Sequence, residues 1–232
     1  PLRALLLLIP VAALAMSPGA LSDEAGPPGP QLLMMAALVV SVGLGGLVLL
    51  TRTPIPQAMA AMGILAFGLP YFALPLASLY QLQQHDPWVL LLLLAIVWLG
   101  DTAAYYFGRH WGRRPLAPSV SPNKTWEGAA AGFAAGMAVA VVWSLSAPVS
   151  ELPPGRLDRL SVPLLLLAAL TSLAAQLGDL VESLIKRGAE VKDSGHLLPG
   201  HGGVWDRMDA LLFAAPVMLL GVKLLGDEGL VP

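Results

Sequence analysis

Six long runs of mostly apolar residues constrain this chain more than any other feature. Each has about the 20 residues that a helix needs to cross the hydrocarbon core of a bilayer. The runs are Gln31–Leu50, Ile55–Leu79, Trp88–Phe107, Glu127–Ala147, Val162–Ser183 and Met208–Gly226. Only 12% of the 232 residues are charged, whereas a soluble domain has about 25%. The sequence therefore predicts an all-α, polytopic helical bundle in a membrane, with residues 1–232 forming one domain.

A seventh apolar segment, Leu2–Met16, is short, since at 1.5 Å per residue a helix of this length covers only about 22 Å. The first residue is Pro1 and not Met. We therefore expect the natural amino terminus to be missing and the segment to be a truncated span, which brings the total to about seven. The alternative is the core of a signal peptide, with Arg3 in front and small residues behind.

The charges in the loops predict an orientation. If the spans alternate in direction, one side of the membrane receives Arg52, Arg109, Arg113, Arg114, Lys124, Lys186, Arg187, Lys192 and Arg207. The other side receives mainly acidic residues, among them Asp23, Glu24, Asp86, Asp227 and Glu228. Basic loops face the cytoplasm, so we expect a bacterial inner-membrane protein with its two large basic loops, Gly108–Trp126 and Lys186–Arg207, inside.

Composition also excludes several classes of function. The formal net charge is −2, which gives no global field for binding nucleic acid. The chain has no cysteine. Disulfides, thiolate metal sites and a cysteine nucleophile are therefore absent.

A polar stripe runs along the span Val162–Ser183 and beyond it. Its members are three or four residues apart: Ser172, Gln176, Asp179, Ser183 and Lys186. Glu182 lies three residues after Asp179. Such side chains share one helix face, which must contact protein or water and not lipid. Ionisable groups at this depth in a membrane are typical of a functional site. The alternative is a stripe that only hydrogen-bonds neighbouring helices.

The stripe leads into a loop rich in acidic, basic and glycine residues. Asp206 and Asp209 are three residues apart and, with Asp179, could surround Mg²⁺, which prefers carboxylate oxygens. Four cations suit phosphate oxygens: Lys186, Arg187, Lys192 and Arg207. Gly200, Gly202 and Gly203 allow backbone amides to approach an anion, and His201 between them could hydrogen-bond a phosphate. This combination is typical of nucleotidyl transfer.

These residues resemble a known signature. The stretch Ser183-Leu-Ile-Lys186-Arg187, then Lys192-Asp193-Ser194-Gly195, then Leu198-Pro-Gly200-His201-Gly202-Gly203-Val-Trp-Asp206-Arg207-Met-Asp209 resembles that of phosphatidate cytidylyltransferase, over 27 positions. Two further stretches resemble the same family: Gly100–Arg109 continued by Ser121–Gly128, and Gly178–Ser183. The resemblance covers roughly Leu90 to Phe213.

The resemblance implies an enzyme that uses CTP and phosphatidic acid within the bilayer and is often dimeric. It implies that Asp179 and Asp206 bind a divalent cation, and the spacing of the carboxylates suggests Asp209 as a third ligand. It also implies a monovalent cation, K⁺, beside the magnesium. We predict these catalytic residues: Asp179, Lys186, Lys192, Asp206, Arg207 and Asp209. We predict these substrate-binding residues: Asp101, Lys124, Glu182, Ser183, Arg187, Asp193, Gly200, His201, Gly202 and Gly203.

Some alternatives stay open at this point. Asp101 either lines the site or is an interfacial carboxylate paired with Arg109. Lys124 either contacts a phosphate or is only one of the basic loop residues that set the orientation in the membrane. Thr125 could cap a helix beginning near Trp126. For the whole chain the rivals are a CTP-dependent enzyme acting on a polyprenol or an archaeal ether lipid, and an ion transporter.

Overall fold

The computed structural model describes residues 55–146, 162–195 and 203–229. Within them lie five helices and one small antiparallel sheet: α1 (Ile55–His85), α2 (Pro87–Trp111), β1 (Pro115–Ala117), β2 (Ser121–Thr125), α3 (Trp126–Ser146), α4 (Val162–Gly188) and α5 (Trp205–Gly229). The chain divides into two compact units, Pro1–Tyr80 and Gln81–Pro232. The second unit carries the candidate site.

The five helices confirm five of the predicted apolar segments as helical. Among the described residues, three stretches are long and apolar enough to cross a membrane: Pro87–Trp111, Trp126–Leu145 and Val162–Gly188. The predicted spans Leu2–Met16 and Gln31–Leu50 lie outside the described residues. The prediction of a helical membrane protein is therefore supported by three candidate spans, and the total of seven stays a prediction.

The hairpin corrects the expectation of a purely helical protein. Pro115 pairs with Thr125 and Ala117 pairs with Ser121. The carboxylate of Glu127 accepts hydrogen bonds from the backbone amides of Arg113 and Arg114, at 3.0 and 3.2 Å. Strands of three and five residues are too short for an alternating pattern to stand out, and Pro122 within β2 argues against a strand.

Local capping sets where two of the membrane helices begin. Asp86 precedes α2 and accepts a hydrogen bond from the amide of Trp88 at 2.9 Å, with Pro87 at the first helical position. Thr125 Oγ1 accepts a hydrogen bond from the amide of Gly128 at 3.2 Å. The predicted capping role of Thr125 is thus confirmed, and it ties the end of β2 to the start of α3.

Small residues let the helices of the second unit pack closely around the site. A methyl group added to Gly132 of α3 would lie 2.9 Å from the carbonyl oxygen of Gly100 in α2. A methyl group added to Gly178 of α4 would lie 2.6 Å from the carbonyl oxygen of Asp209 in α5. Close contact through small residues is common between membrane helices, and here it brings Asp209 beside α4.

A left-handed residue ends α4. The amides of Glu190 and Val191 donate to the carbonyls of Arg187 and Lys186, at 3.0 and 2.9 Å, which is the Schellman pattern at a helix carboxyl terminus. Glu190 adopts a φ of 57°, a conformation that usually belongs to glycine because a Cβ is strained there. The turn directs the chain back towards the start of α5.

We predict that Glu190→Gly stabilises the protein, because it relieves the strained left-handed conformation. The gain in free energy of unfolding should be about 1 kcal/mol or less, since glycine also makes the unfolded chain more flexible. Thermal unfolding of the detergent-solubilised protein measures it. Glu190→Ala is the control, because it removes the same charge and keeps the Cβ. Equal melting temperatures for the two variants would show that strain at Glu190 is not what limits stability.

Candidate active site

A cavity of about 560 Å³ lies where the hairpin meets one end of the helices of the second unit. Every described element of this unit from α2 to α5 contributes to its wall. The lining residues are Asp101, Ala104, Tyr105, Gly108, Arg109, Leu116, Asn123, Lys124, Thr125, Gly128, Ala129, Gln176, Asp179, Asp206 and Asp209. The two loops that we predicted to share one side of the membrane therefore meet at one cavity.

Three carboxylates form the tightest acidic cluster. Asp179 and Glu182 are nearly one turn apart on α4, and Asp209 comes from α5. Ligand atoms of all three lie within 4.8 Å of one another. Carboxylate oxygens so close together repel unless a cation compensates for them, and they are hard ligands of the kind that Mg²⁺ and Ca²⁺ prefer. This cluster could hold a metal ion.

The predicted metal set differs from this cluster in one member. We predicted Asp179, Asp206 and Asp209, whereas the structure groups Asp179 and Asp209 with Glu182. Asp206 lines the same cavity as the other two aspartates. Its role as a metal ligand stays a prediction.

An ion pair joins the hairpin to the acidic cluster. Lys124, near the end of β2, contacts the carboxylate of Asp179 through its ammonium group. Both side chains are partly buried, which strengthens the attraction relative to a fully solvated pair. The hairpin that sequence patterns do not reveal therefore delivers one of the predicted substrate-binding residues to the cluster.

A second ammonium group bridges two more carboxylates. Lys186 Nζ lies 2.7 Å from Glu182 Oε2, one helical turn before it, and 2.9 Å from Asp206 Oδ1 on α5. The side chain of Glu182 is only 1% exposed. An ionised carboxylate so deep in the protein is costly without a cationic partner. Lys186 supplies that partner and links α4 to the start of α5.

Asp206 also organises the loop that approaches it. Its carboxylate accepts hydrogen bonds from the amide and hydroxyl of Ser194 and from the amide of Gly203, at 3.0, 2.9 and 2.7 Å. Partial burial works against ionisation here, but the bonds from Lys186, Gly203 and Ser194 outweigh it and hold the pKa of Asp206 well below its usual range. Asp206 is therefore an ionised anchor for the chain on both sides of residues 196–202.

The polar stripe on α4 faces protein, as predicted. Gln176 donates to the carbonyl of Ala129 in α3 at 3.2 Å, and Ser172 is buried against Gly136 of α3. Further along the helix, Asp179 pairs with Lys124, and Lys186 pairs with Glu182 and Asp206. Ser172 thus serves helix packing, the role that we held as the alternative, whereas Gln176 and Asp179 line the cavity.

The other predicted residues lie around this centre. Asp101 lines the cavity from α2, and Ser183 is half-buried on α4. Arg187 Nε donates to the carbonyl of Val120, in the hairpin turn, at 3.2 Å. Lys192, Asp193 and Arg207 are exposed beside the site. Gly200, His201 and Gly202 lie outside the described residues, so their roles, like those of the exposed residues, stay predictions.

Sequence reasoning missed several residues of the cavity wall. Tyr105, Arg109 and Asn123 lie in stretches that resemble the family, but we assigned none of them to the site. The signal was present in α2, since Asp101, Tyr105 and Arg109 are four residues apart and share one helix face. Among the described residues Arg109 does not pair with Asp101, the alternative that we held, since the two are eight residues apart on α2. Its Nη1 donates to the Tyr105 hydroxyl at 2.8 Å.

Comparison with known proteins gives a consistent result. The profile of the family described as "Cytidylyltransferase family" matches residues 4–225. A phosphatidate cytidylyltransferase of Brucella suis biovar 1 is 43% identical over 169 residues, which cover 72% of this chain and 59% of that protein. The phosphatidate cytidylyltransferase of Bacillus subtilis is 40% identical over 141 residues, covering 60% of this chain and 48% of the relative.

A third relative, the phosphatidate cytidylyltransferase of Haemophilus influenzae, is 36% identical over 170 residues, covering 72% of this chain and 57% of its own length. The chain thus spans less than two thirds of the length of these relatives.

We predict that Asp206→Asn loosens the loop around the site, because the charge-assisted bonds to Ser194, Gly203 and Lys186 weaken. Hydrogen–deuterium exchange of peptides that contain the amides of Ser194 and Gly203 should accelerate at least about tenfold. The matched control is Ser194→Ala, which removes one hydroxyl bond and leaves both backbone bonds, so its effect should be smaller. Unchanged exchange in Asp206→Asn would refute the anchoring role.

Proposed function

Because this chain belongs to the cytidylyltransferase family, we propose that it transfers the cytidylyl group of CTP to phosphatidic acid. The products are CDP-diacylglycerol and pyrophosphate. The single observation that carries the proposal is one cavity, at the ends of membrane helices, where four aspartates meet a lysine and an arginine. Such a site suits a reaction between two phosphorylated substrates, one soluble and one lipidic.

We propose Mg²⁺ as the ion at the acidic cluster and K⁺ as a monovalent companion. The donor set fits a hard divalent ion, since Asp179, Glu182 and Asp209 offer only carboxylate oxygens within 4.8 Å of one another. When bound, Mg²⁺ supplies positive charge that offsets the charge of the reacting phosphates. The residues that would hold it are Asp179 and Asp209, with Glu182 beside them and Asp206 as the further predicted ligand.

The cationic side chains bind and orient the phosphates. A phosphate oxygen of either substrate competes with Asp179 for the ammonium group of Lys124, which already lies in the cavity. The ammonium group of Lys186 offsets the negative charges of Glu182 and Asp206. Arg187, Lys192 and Arg207 lie around the same end of the bundle, where they add positive charge for phosphate groups.

The transfer itself needs little chemistry from the protein. A phosphate oxygen of phosphatidic acid forms a new bond to the α-phosphorus of CTP, and the bond from that phosphorus to the β-phosphate oxygen breaks. The electron pair leaves with pyrophosphate. The attacking phosphate is already ionised near neutral pH, so no base has to remove a proton. Positioning and charge stabilisation therefore account for catalysis, without a covalent enzyme intermediate.

The location follows from the same features. We propose that the protein lies in the inner membrane of a bacterium, with the cavity facing the cytoplasm, because the basic loops meet there. CTP then enters from the cytoplasm. Phosphatidic acid enters from the inner leaflet and keeps its acyl chains in lipid. A homodimer, which the family resemblance implies, stays a prediction.

An assay with radiolabelled CTP tests the proposal. The purified protein in mixed micelles should move label from [α-³²P]CTP into a lipid product with phosphatidic acid, and should do so only with added Mg²⁺. Diacylglycerol is the matched control acceptor, since it lacks the attacking phosphate. Label transferred from [γ-³²P]CTP to an isoprenoid alcohol would identify the rival enzyme. Flux of substrate into vesicles without pyrophosphate release would identify a transporter.

We predict that Asp179→Asn and Asp209→Asn each lower CTP-dependent turnover at least about 100-fold, because each removes a charge from the ion-binding cluster. Turnover is measured at several Mg²⁺ concentrations. Glu190→Gln is the control, since Glu190 is exposed outside the cavity and should leave turnover unchanged. Near-normal activity in both aspartate variants would remove the cluster from the mechanism.

A further inference from the structure

We propose that Arg109 binds a phosphate group of one of the two substrates and that Tyr105 positions its guanidinium group. The inference deepens the proposed function and rests on it. Sequence patterns assign Arg109 to membrane topology, but the structure places it in the wall of the cavity that holds the acidic cluster.

Acidic and basic side chains are unequal in number in the cavity wall. Among the described residues, the wall contains four carboxylates, Asp101, Asp179, Asp206 and Asp209, but only two cations, Arg109 and Lys124. Lys124 is paired with Asp179. The nearby ammonium group of Lys186 is paired with Glu182 and Asp206. Two of the cations at the site are therefore neutralised by the protein itself.

Arg109 differs from both lysines. Within the part of the chain that the structure describes, its contacts are with Tyr105, and none is an ion pair with a carboxylate. Asp101 lies eight residues earlier on the same helix, which separates the two backbone positions by about 12 Å along the axis. The guanidinium group thus brings a positive charge to the cavity that no acidic side chain among the described residues cancels.

Tyr105 holds this charge in a defined place. Its hydroxyl oxygen accepts a hydrogen bond from Arg109 Nη1 at 2.8 Å, and its ring lies under the guanidinium carbon at 6.0 Å. A guanidinium group has five N–H donors in a planar fork, so one bond to tyrosine leaves donors for a bidentate contact with phosphate. Spacing of four residues keeps both side chains on the helix face that lines the cavity.

The ligand is thus a phosphate group, which either the triphosphate of CTP or the headgroup of phosphatidic acid supplies. Steady-state kinetics with each substrate varied in turn separates the two sources. Arg109→Gln should raise the KM of one substrate at least about tenfold, because a charge-assisted contact is lost. Arg109→Lys should recover only part of this, since an ammonium group cannot form the planar double contact.

The test of Tyr105 uses coupling between the two residues. Tyr105→Phe should raise the KM of the same substrate by a smaller factor and leave that of the other unchanged. The double variant Tyr105→Phe with Arg109→Gln should be no worse than Arg109→Gln alone, because tyrosine acts only through arginine. Fully additive effects, or a shift in the KM of the other substrate with Tyr105→Phe, would contradict a positioning role.

A nearby exposed cation is the matched control. Arg113 is four residues further on, exposed, and outside the cavity wall, so Arg113→Gln should change neither KM by more than about twofold. An equal effect of Arg113→Gln, or unchanged KM values for both substrates in Arg109→Gln, overturns the inference. Wild-type protein that forms no CDP-diacylglycerol in the same assay counts instead against the proposed function.

Discussion

Charge compensation around the carboxylates of α4 is the constraint on which the rest of the site depends. Carboxylates in a membrane-spanning helix are stable only where cations or hydrogen bonds replace the lost water. Lys124 of the hairpin contacts Asp179 of α4. Lys186 of α4 contacts Glu182 on the same helix and Asp206 on α5. These ion pairs connect three segments that are distant in sequence. The ion pairs that stabilise the carboxylates therefore also hold the walls of the cavity together.

Close helix packing gives this arrangement its dimensions. Because Gly178 has no side chain, the backbone of α5 reaches α4 at Asp209, and the third carboxylate of the cluster comes within 4.8 Å of the other two. The close contact between Gly132 and Gly100 likewise brings the backbones of α3 and α2 together. The hydrogen bond from Gly128 to Thr125 joins the hairpin to α3. A bundle of bulkier residues would hold the same functional groups too far apart for one cation.

Much of the fold could be predicted from sequence, because apolar runs and a polar stripe are properties of a single helix. The segment Val162–Ser183 was confirmed as helical, and Asp179 lies on its protein-facing side as expected. The hairpin could not be predicted, since its strands are short and it depends on contacts from Glu127 and Arg187. The grouping of Glu182 with Asp179 and Asp209 depends on how α4 and α5 pack, which no local pattern encodes. Family membership was predicted from the signature residues and is confirmed by the comparisons.

We propose that Asp179 and Asp209 hold a divalent cation where the carboxyl-terminal end of α4 meets the amino-terminal end of α5. Titration with Mn²⁺, followed by electron paramagnetic resonance of the purified protein in detergent, measures that binding without turnover. We expect a saturable Mn²⁺ site in the wild type, from which Mg²⁺ displaces Mn²⁺, and an affinity for Mn²⁺ at least about tenfold weaker when both aspartates are changed to asparagine. An unchanged affinity for Mn²⁺ in that double variant would show that Asp179 and Asp209 do not hold the cation.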